Sequence, residues 1–144
     1  MKSYLKIILI TAAFALAANT VQAQGKKAKP AAYQVVFQLS SSDTLVHKAL
    51  TKQLNNLLAA MPGVTIEVVT HGPGITFLQQ SSTVKNNLEK LQQLGVTFLA
   101  CRNTLLEKKI DPGTLLPFAS VIPAGLAHII RRQSEGWSYI KAGF

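Results

Sequence analysis

The chain has 144 residues, a hydrophobic content of 48%, a formal net charge of +9 and a single cysteine. This length fits one domain. One cysteine cannot build an internal disulfide framework, and no Cys/His cluster has zinc-ligand spacing, so disulfide-rich mini-proteins and structural zinc modules are excluded. The positive charge would indicate nucleic acid or an anionic membrane as a partner only if the basic residues formed a surface for it.

The first 23 residues have the three-part pattern of a secretory signal peptide. Lys2 and Lys6 precede an apolar run over residues 7–18, and Val21 and Ala23 are small residues at the positions that a signal peptidase reads. The run is shorter than the roughly 20 residues that a membrane-spanning helix needs, which disfavours a stable membrane anchor. We predict cleavage after Ala23 and export, to the periplasm.

A short basic segment, residues 24–32, follows the predicted cleavage position. It contains three lysines with glycine, proline and alanine and no bulky apolar residue, a composition typical of a flexible linker. Cleavage would lower the formal charge to +7, and the domain over residues 33–144 carries only +4. Because the remaining basic residues form no stripe interleaved with aromatic residues, we expect no nucleic acid as a partner.

The predicted domain, residues 33–144, alternates strands and helices. The predicted strands are β-branched or apolar runs at residues 33–39, 64–70, 96–100, 119–122 and 137–142. The predicted helices lie between them at residues 44–61, about 82–94, 105–110 and 123–135, with a short helical turn at 75–80. Repeated strand–helix–strand units with short connections predict an α/β fold, a flavodoxin-like three-layer sandwich with a mostly parallel sheet of about five strands.

Three predicted loops follow the first three strands, at residues 40–43, 71–74 and 101–104. Ligand sites of such sheets form at the carboxyl ends of the strands. If the first strand lies between the second and the third, these loops share one edge, and His71 and Cys101 come near each other. A nucleotide or flavin site is disfavoured, because no glycine-rich phosphate loop such as GxGxxG follows the first strand.

Cys101 is the candidate reactive residue, because it lies where the third predicted strand ends and a helical segment follows. Only the thiolate is nucleophilic, and an unperturbed thiol with a pKa of about 8.5 is mostly protonated near neutral pH. Backbone N–H groups, the cation Arg102 and the hydrogen-bond donors Asn103 and Thr104 could each stabilise the anion. From the residues alone, an inert cysteine buried at a strand end is an equally good interpretation.

The three histidines have different predicted roles. His71 could hydrogen-bond the thiolate or act as an acid, or it could only fix its glycine- and proline-rich loop, which we predict to be irregular. His47 lies away from the apolar face of the first helix, which predicts a solvated side chain. For His128, in the last helix, a packing or surface role is favoured over a ligand role. Trp137 and Tyr139 share one face of the last strand, as core or subunit contacts.

Three separated segments carry a family resemblance: residues 70–74 (THGPG), 94–104 (LGVTFLACRNT) and 133–141 (QSEGWSYIK). Together they are similar to the DsrE/DsrF-like family of sulfur-relay proteins, and the similarity extends over residues 33–141. The resemblance implies a flavodoxin-like fold, assembly into homotrimers or homohexamers, and a cysteine that carries sulfur as a persulfide. Cys101 falls at the position of that cysteine.

The residues and the resemblance together predict a sulfur carrier or a sulfurtransferase-like protein, without settling whether it is an enzyme. Cys101 would take a sulfur atom as a persulfide and pass it to an acceptor thiol, with sulfur donor and acceptor proteins or small polysulfides as partners. No second cysteine is present to discharge the persulfide internally, which favours a carrier over a dithiol oxidoreductase. We expect no metal and no cofactor. The alternative is a non-catalytic oligomeric binding or assembly module with an inert Cys101.

Overall fold

The computed structural model describes residues 33–143, and the predicted signal peptide and linker over residues 1–32 lie outside this range. The strands are β1 (Gln34–Leu39), β2 (Thr65–Thr70), β3 (Thr97–Cys101), β4 (Ser120–Ile122) and β5 (Ser138–Lys141). The α-helices are α1 (Thr44–Ala60), α2 (Lys85–Gln93), α3 (Arg102–Glu107) and α4 (Gly125–Ser134), with 3₁₀ helices at Gly72–Leu78 and Pro112–Thr114. None of the helices in residues 33–143 has the length and apolar character to span a membrane.

The five strands form one parallel sheet in the order β4-β3-β2-β1-β5. The predicted α/β fold with a parallel sheet of about five strands is therefore confirmed. The prediction for the loops depends on the condition that the first strand lies between the second and the third. This condition is not met, because β1 lies between β2 and β5, and β2 lies between β1 and β3. Buried parallel strands are apolar on both faces, so their sequences do not specify which strands pair. Since all strands run in one direction, the loops after β1, β2 and β3 still share one edge.

One face of the sheet, which we call the apolar face, holds the main core. Its side chains interlock with α1, α2 and the 3₁₀ helix Gly72–Leu78. Leu50 and Leu54 of α1, spaced by one helical turn, point at the sheet and are fully buried. The carboxylate of Asp43 accepts a hydrogen bond from the backbone N–H of Leu45 at 2.8 Å and so defines the start of α1.

The opposite face, which we call the α4 face, has a smaller apolar cluster. This cluster consists of Val36, Val69, Leu99, Ile129 and Trp137. Side chains alternate along a strand, so the residues of β2 and β3 that lie between the main-core residues point toward α4. The carboxyl end of β3 places Cys101 on this face.

Three local predictions are wrong. The loop at residues 71–74 is not irregular, because the 3₁₀ helix starts at Gly72, with a proline in its first turn. The helix expected from residue 105 begins at Arg102, directly after the cysteine. His47 is not solvated but 2% exposed, because its Nε2 is hydrogen-bonded to the carbonyl of Ser41 at 2.8 Å and its ring packs edge-on against Phe77.

Candidate functional site

Cys101 is the last residue of β3 and lies directly before α3. It pairs with Ile122 of β4, and its side chain is only 5% exposed. Phe98 and Ala100 belong to the main core, so the alternation along β3 turns Leu99 and Cys101 toward α4. The thiol is thus enclosed between the end of the sheet and the start of a helix that lies 24 residues further along the chain.

Gly125, the first residue of α4, donates its backbone N–H to the sulfur of Cys101 at 3.2 Å. A Cβ atom at position 125 would lie 3.2 Å from Cγ1 of Val69, 3.3 Å from Cβ of Cys101 and 3.5 Å from Cβ of His71. The contacts with Val69 and Cys101 are tighter than most real ones, and only glycine avoids them without a shift of its neighbours. Because Gly125 has no side chain, the first residue of α4 can lie in contact with the thiol.

Thr104 supplies a second group of contacts. Its hydroxyl oxygen accepts a hydrogen bond from the N–H of Gly72 at 2.9 Å, which joins the start of α3 to the loop after β2. Burial by itself raises the pKa of the Cys101 thiol, but several donors reverse this. The N–H of Gly125, the N–H and hydroxyl of Thr104 and the N–H of Asn103 stabilise the thiolate and hold the pKa below its ordinary value.

A cavity of about 200 Å³ adjoins the thiol. It is lined by His71, Cys101, Asn103, Thr104, Glu107, Ala124, Gly125 and Leu126. A water molecule occupies about 30 Å³ of liquid, so this space can hold an additional sulfur atom. Four of the five site residues expected from the sequence meet here. The fifth, Arg102, is exposed and does not line the cavity.

His71 is held by a short chain of side-chain hydrogen bonds. Gln38 donates through Nε2 to Nε2 of His71 at 2.7 Å, and the hydroxyl of Tyr139 donates to Oε1 of Gln38. With Nε2 as an acceptor, the ring proton is assigned to Nδ1. Partial burial lowers the pKa of His71, which keeps the ring neutral near neutral pH. The arrangement suits a neutral hydrogen-bond partner for groups in the cavity.

Two residues of the site escape sequence reasoning. Gly125 acts through its backbone, and a backbone donor has no residue-type signature. Gln38 directly follows the apolar run over residues 35–37 of β1, and a polar residue at this end of a buried strand is the signal that could have marked it. Trp137 is buried in the smaller cluster, as a core contact, and the guanidinium of Arg132 lies 4.6 Å from its ring centroid. His128 packs against the sheet, hydrogen-bonded to Glu67 at 2.6 Å.

Sites for other ligands are poorly developed in residues 33–143. No group of three or more His, Cys, Asp or Glu side chains is arranged there to hold a metal ion. An open cavity of about 560 Å³ lies at the carboxyl ends of β1 and β5, lined in part by the serines at 40–42 and Lys141. Ser41 already accepts hydrogen bonds, from the N–H of Asp43 through Oγ and from the ring of His47 through its carbonyl. The hydroxyl and the carbonyl of Ser41 therefore stabilise the turn before α1.

The fold and the site define a three-layer α/β protein with one buried thiol whose pKa is lowered by tertiary contacts. The chain belongs to the DsrE/DsrF-like family, whose model matches residues 13–142. The match begins within the segment that we predict to be a signal peptide. No similar sequence was found among curated proteins.

The solved structures that resemble the chain include two proteins of unknown function. The first is a protein of unknown function from Methanobacterium thermoautotrophicum, 38% identical over 76% of this chain and 98% of that one, with a TM-score of 0.74. The second is a conserved protein of unknown function from Bacteroides thetaiotaomicron, 14% identical over 80% of this chain and 99% of that one, with a TM-score of 0.66. The second similarity concerns the fold alone.

Proposed function

We propose that this protein carries sulfane sulfur as a persulfide on Cys101. The observation that carries the proposal is the hydrogen bond from the N–H of Gly125 to the sulfur, in a site whose donors lower the pKa of a buried thiol. A low pKa raises the fraction of thiolate, which is the form that attacks sulfur. Membership of the DsrE/DsrF-like family supports the same chemistry.

The proposed reaction is a transfer of one sulfur atom between thiols. The thiolate of Cys101 attacks the outer sulfur of a donor persulfide, R–S–SH, and forms a new S–S bond. The donor S–S bond breaks and its electron pair leaves on R–S⁻, so the products are Cys101–S–SH and a donor thiolate. An acceptor thiolate then attacks the outer sulfur and releases Cys101 as a thiolate, with no net oxidation or reduction.

The neighbours of Cys101 have proposed supporting roles. The donors Gly125, Asn103 and Thr104 stabilise the thiolate before the sulfur is accepted and after it is released. The adjoining cavity receives the added sulfur atom. His71 is proposed to hydrogen-bond the persulfide from the same cavity. No metal or cofactor takes part in this reaction.

Mass spectrometry after incubation with polysulfide tests the proposal. The wild-type protein should gain the mass of one or more sulfur atoms, and the gain should disappear on treatment with a small thiol. Cys101→Ser should gain nothing. Because the chain has one cysteine, a protein alkylated at Cys101 before incubation is a matched control with an unchanged sequence. Absence of added sulfur on the wild type, or an equal gain on the serine variant, contradicts the proposal.

A non-catalytic oligomeric binding or assembly module is the second candidate, and the burial of Cys101 is the observation that favours it. An inert buried thiol should resist alkylation until the protein is denatured. A sulfur carrier should instead react in the native state, with an apparent thiol pKa below the ordinary value. Alkylation with and without denaturant therefore separates the two candidates.

Partners and location complete the proposal. Donor and acceptor proteins or small polysulfides would approach the cavity, and the predicted signal peptide would bring the protein to the periplasm. Assembly into homotrimers or homohexamers is supported by apolar side chains left on the surface of α4, where Leu126 is 56% and Ile130 is 67% exposed. Light scattering during size-exclusion chromatography measures the assembly state.

A further inference from the structure

The central strand β2 contains a buried carboxylate that the proposed sulfur chemistry does not use. Glu67 is only 7% exposed and lies on the α4 face of the sheet, where its strand neighbours include Val36 and Val69. An unpaired carboxylate in such surroundings would strongly destabilise the fold. Its partners are therefore structurally important.

Both partners of Glu67 come from α4. Arg132 binds the carboxylate with two hydrogen bonds, from Nε to Oε2 at 2.9 Å and from Nη2 to Oε1 at 2.6 Å. Nε2 of His128, one helical turn earlier, lies 2.6 Å from Oε2. Arg132 also binds the exposed carboxylate of Glu135 at 2.8 Å. These charge-assisted contacts fix the helix in both position and rotation.

Apolar packing does little to hold α4 in place. Among its ten residues, only Gly125 and Ile129 are buried, and Leu126 and Ile130 point to the outside. The two buried residues lie on the same helix face as His128 and Arg132, because positions i, i+3, i+4 and i+7 coincide on a helix. The contacts with Glu67 and the contact with Cys101 are thus two ends of one rigid attachment.

We propose that Glu67 is a positioning residue for Cys101: it holds α4, through His128 and Arg132, so that the N–H of Gly125 stays on the sulfur. Glu67 itself does not touch the thiol. It pairs with Thr97, four residues before Cys101 on the neighbouring strand, which is a separation of about 13 Å along the sheet. The inference rests on the proposed function only in that both assign a role to the Cys101 thiolate.

The sign of the effect distinguishes positioning from simple electrostatics. Removing a negative charge at a distance favours the thiolate and would lower the pKa of Cys101. Loss of the hydrogen bond from Gly125 disfavours the thiolate and would raise it. We expect Glu67→Gln to raise the midpoint of the alkylation rate against pH by about half a unit to one unit, which is a three- to tenfold loss of thiolate below the midpoint.

The experiment follows the alkylation of Cys101 against pH in the full chain. The midpoint is the readout, because a change of access alters the plateau rate and leaves the midpoint unchanged. Glu135→Gln is the matched control: it removes a carboxylate partner of the same Arg132 but leaves Glu67 in place, so its midpoint should agree with the wild type within about 0.2 units. His71 and Glu107, the titratable groups that line the cavity beside Cys101, are the same in all these variants.

Two further variants cover the case in which Glu67→Gln does not fold. Arg132→Lys keeps the charge but loses the two-bond geometry, and should raise the midpoint by a smaller amount. His128→Gln retains an N–H donor, so its midpoint should stay close to that of the wild type. His128→Ala loses the donor, so its midpoint should rise. Circular dichroism checks that each variant is folded.

The inference is overturned if folded Glu67→Gln has a midpoint equal to or below that of the wild type. If Glu67→Gln does not fold, the same result for folded Arg132→Lys and His128→Ala overturns it. Failure of the proposed function gives a different result. If the wild type takes up no sulfur and the midpoint of Glu67→Gln rises, sulfur transfer is wrong and positioning stands. If the wild type takes up sulfur and the midpoint does not rise, the reverse holds.

Discussion

The two faces of the sheet are built by different interactions. Within residues 33–143, the apolar face buries 21 residues in one continuous cluster, whereas the apolar cluster of the α4 face has five. On the apolar face, helices are held by side-chain packing. On the α4 face, a single helix is held by a carboxylate with two cationic or hydrogen-bonding partners and by a backbone contact to sulfur.

This difference separates stability from chemistry within one domain. Apolar burial has no direction, so it supplies free energy but cannot fix one N–H against one sulfur atom. Hydrogen bonds depend steeply on distance and angle, so they can. Cys101 therefore lies on the face where placement is directional, and the larger apolar cluster lies on the opposite face.

Leu54→Ala should have the largest effect on stability and the smallest on the thiol. Leu54 is fully buried in α1 on the apolar face, and truncation leaves a cavity that costs about 2–5 kcal/mol in the free energy of unfolding. Urea denaturation measures this loss. The alkylation midpoint of the folded variant should equal that of the wild type, because α1 does not contact the Cys101 cavity.

Leu106→Ala is the matched control for this comparison. Leu106 lies in α3 near the cysteine but is 70% exposed, so the same truncation should change the free energy of unfolding by less than about 0.5 kcal/mol. A shifted thiol midpoint in Leu54→Ala would mean that the two faces are coupled, and the separation of stability from chemistry would then be wrong.

Gly125→Ala should act on both properties at once. The added Cβ must displace Val69, Cys101 or the start of α4, which costs about 1–3 kcal/mol of stability. The hydrogen bond to the thiolate weakens with it, so the midpoint of alkylation should rise by about one unit. Urea denaturation and the alkylation profile give the two values.

Gly113→Ala provides the comparison for a glycine away from the thiol. A Cβ at position 113 would lie 3.4 Å from the nearest atoms, the carboxylate oxygens of Asp111, which is an ordinary contact. Its thiol midpoint should match the wild type. If Gly125→Ala also matches, the N–H of Gly125 is not what lowers the pKa of Cys101.

Acid should weaken the α4 face through Glu67. Burial raises the pKa of this carboxyl, but the hydrogen bonds and charges of Arg132 and His128 outweigh burial and hold the pKa below its ordinary value of 4.5. A carboxyl with a lowered folded-state pKa contributes stability above the unfolded value, and this is lost as the pH falls through the folded value. Unfolding free energies at about pH 7 and about pH 3 should differ more in the wild type than in Glu67→Gln.

His71 adds a smaller acid effect in a different window. Burial lowers its pKa from the ordinary value of 6.5, so the folded state favours the neutral ring. The stability it contributes is present above pH 6.5 and is lost as the pH falls through the folded-state pKa. The wild type and Glu67→Gln both retain His71, so its contribution cancels when the two are compared.

An equal loss of stability in acid in the wild type and in Glu67→Gln would show that Glu67 does not hold α4 at neutral pH.

The sequence predicts the strands and helices of this fold well, but it predicts poorly which of them lie next to each other. β1 and β2 are found within one residue, because β-branched runs are bounded by turn residues and proline–glycine. The strand order cannot be predicted from the sequence, because the pairing of parallel strands leaves no pattern in the sequence of either strand. His47 is misplaced because it lies three and seven residues before Leu50 and Leu54 and so shares their buried face of α1. Its ring packs there against Phe77 and is hydrogen-bonded to the carbonyl of Ser41.

The candidate site can be predicted from the sequence only in part. Cys101 is the last residue of its strand, the other three predicted residues follow strand ends, and parallel strands bring their carboxyl ends to one edge: these three are His71, Asn103 and Thr104. Gly125 is missing from the predicted site because its donor belongs to the backbone. Glu67 could have been noticed, since a lone charge inside the apolar strand VTIEVVT requires a buried partner.

The contact between Gly125 and Cys101 makes the acidity of the thiol a property of the completed fold. The two residues are 24 positions apart, and β4, which pairs with β3, lies between them in the chain. In an unfolded chain the cysteine has the ordinary thiol pKa of about 8.5 and reacts slowly near neutral pH. Denaturation should therefore return the pKa of Cys101 to its ordinary range, because the donors from α3 and α4 then separate from the sulfur.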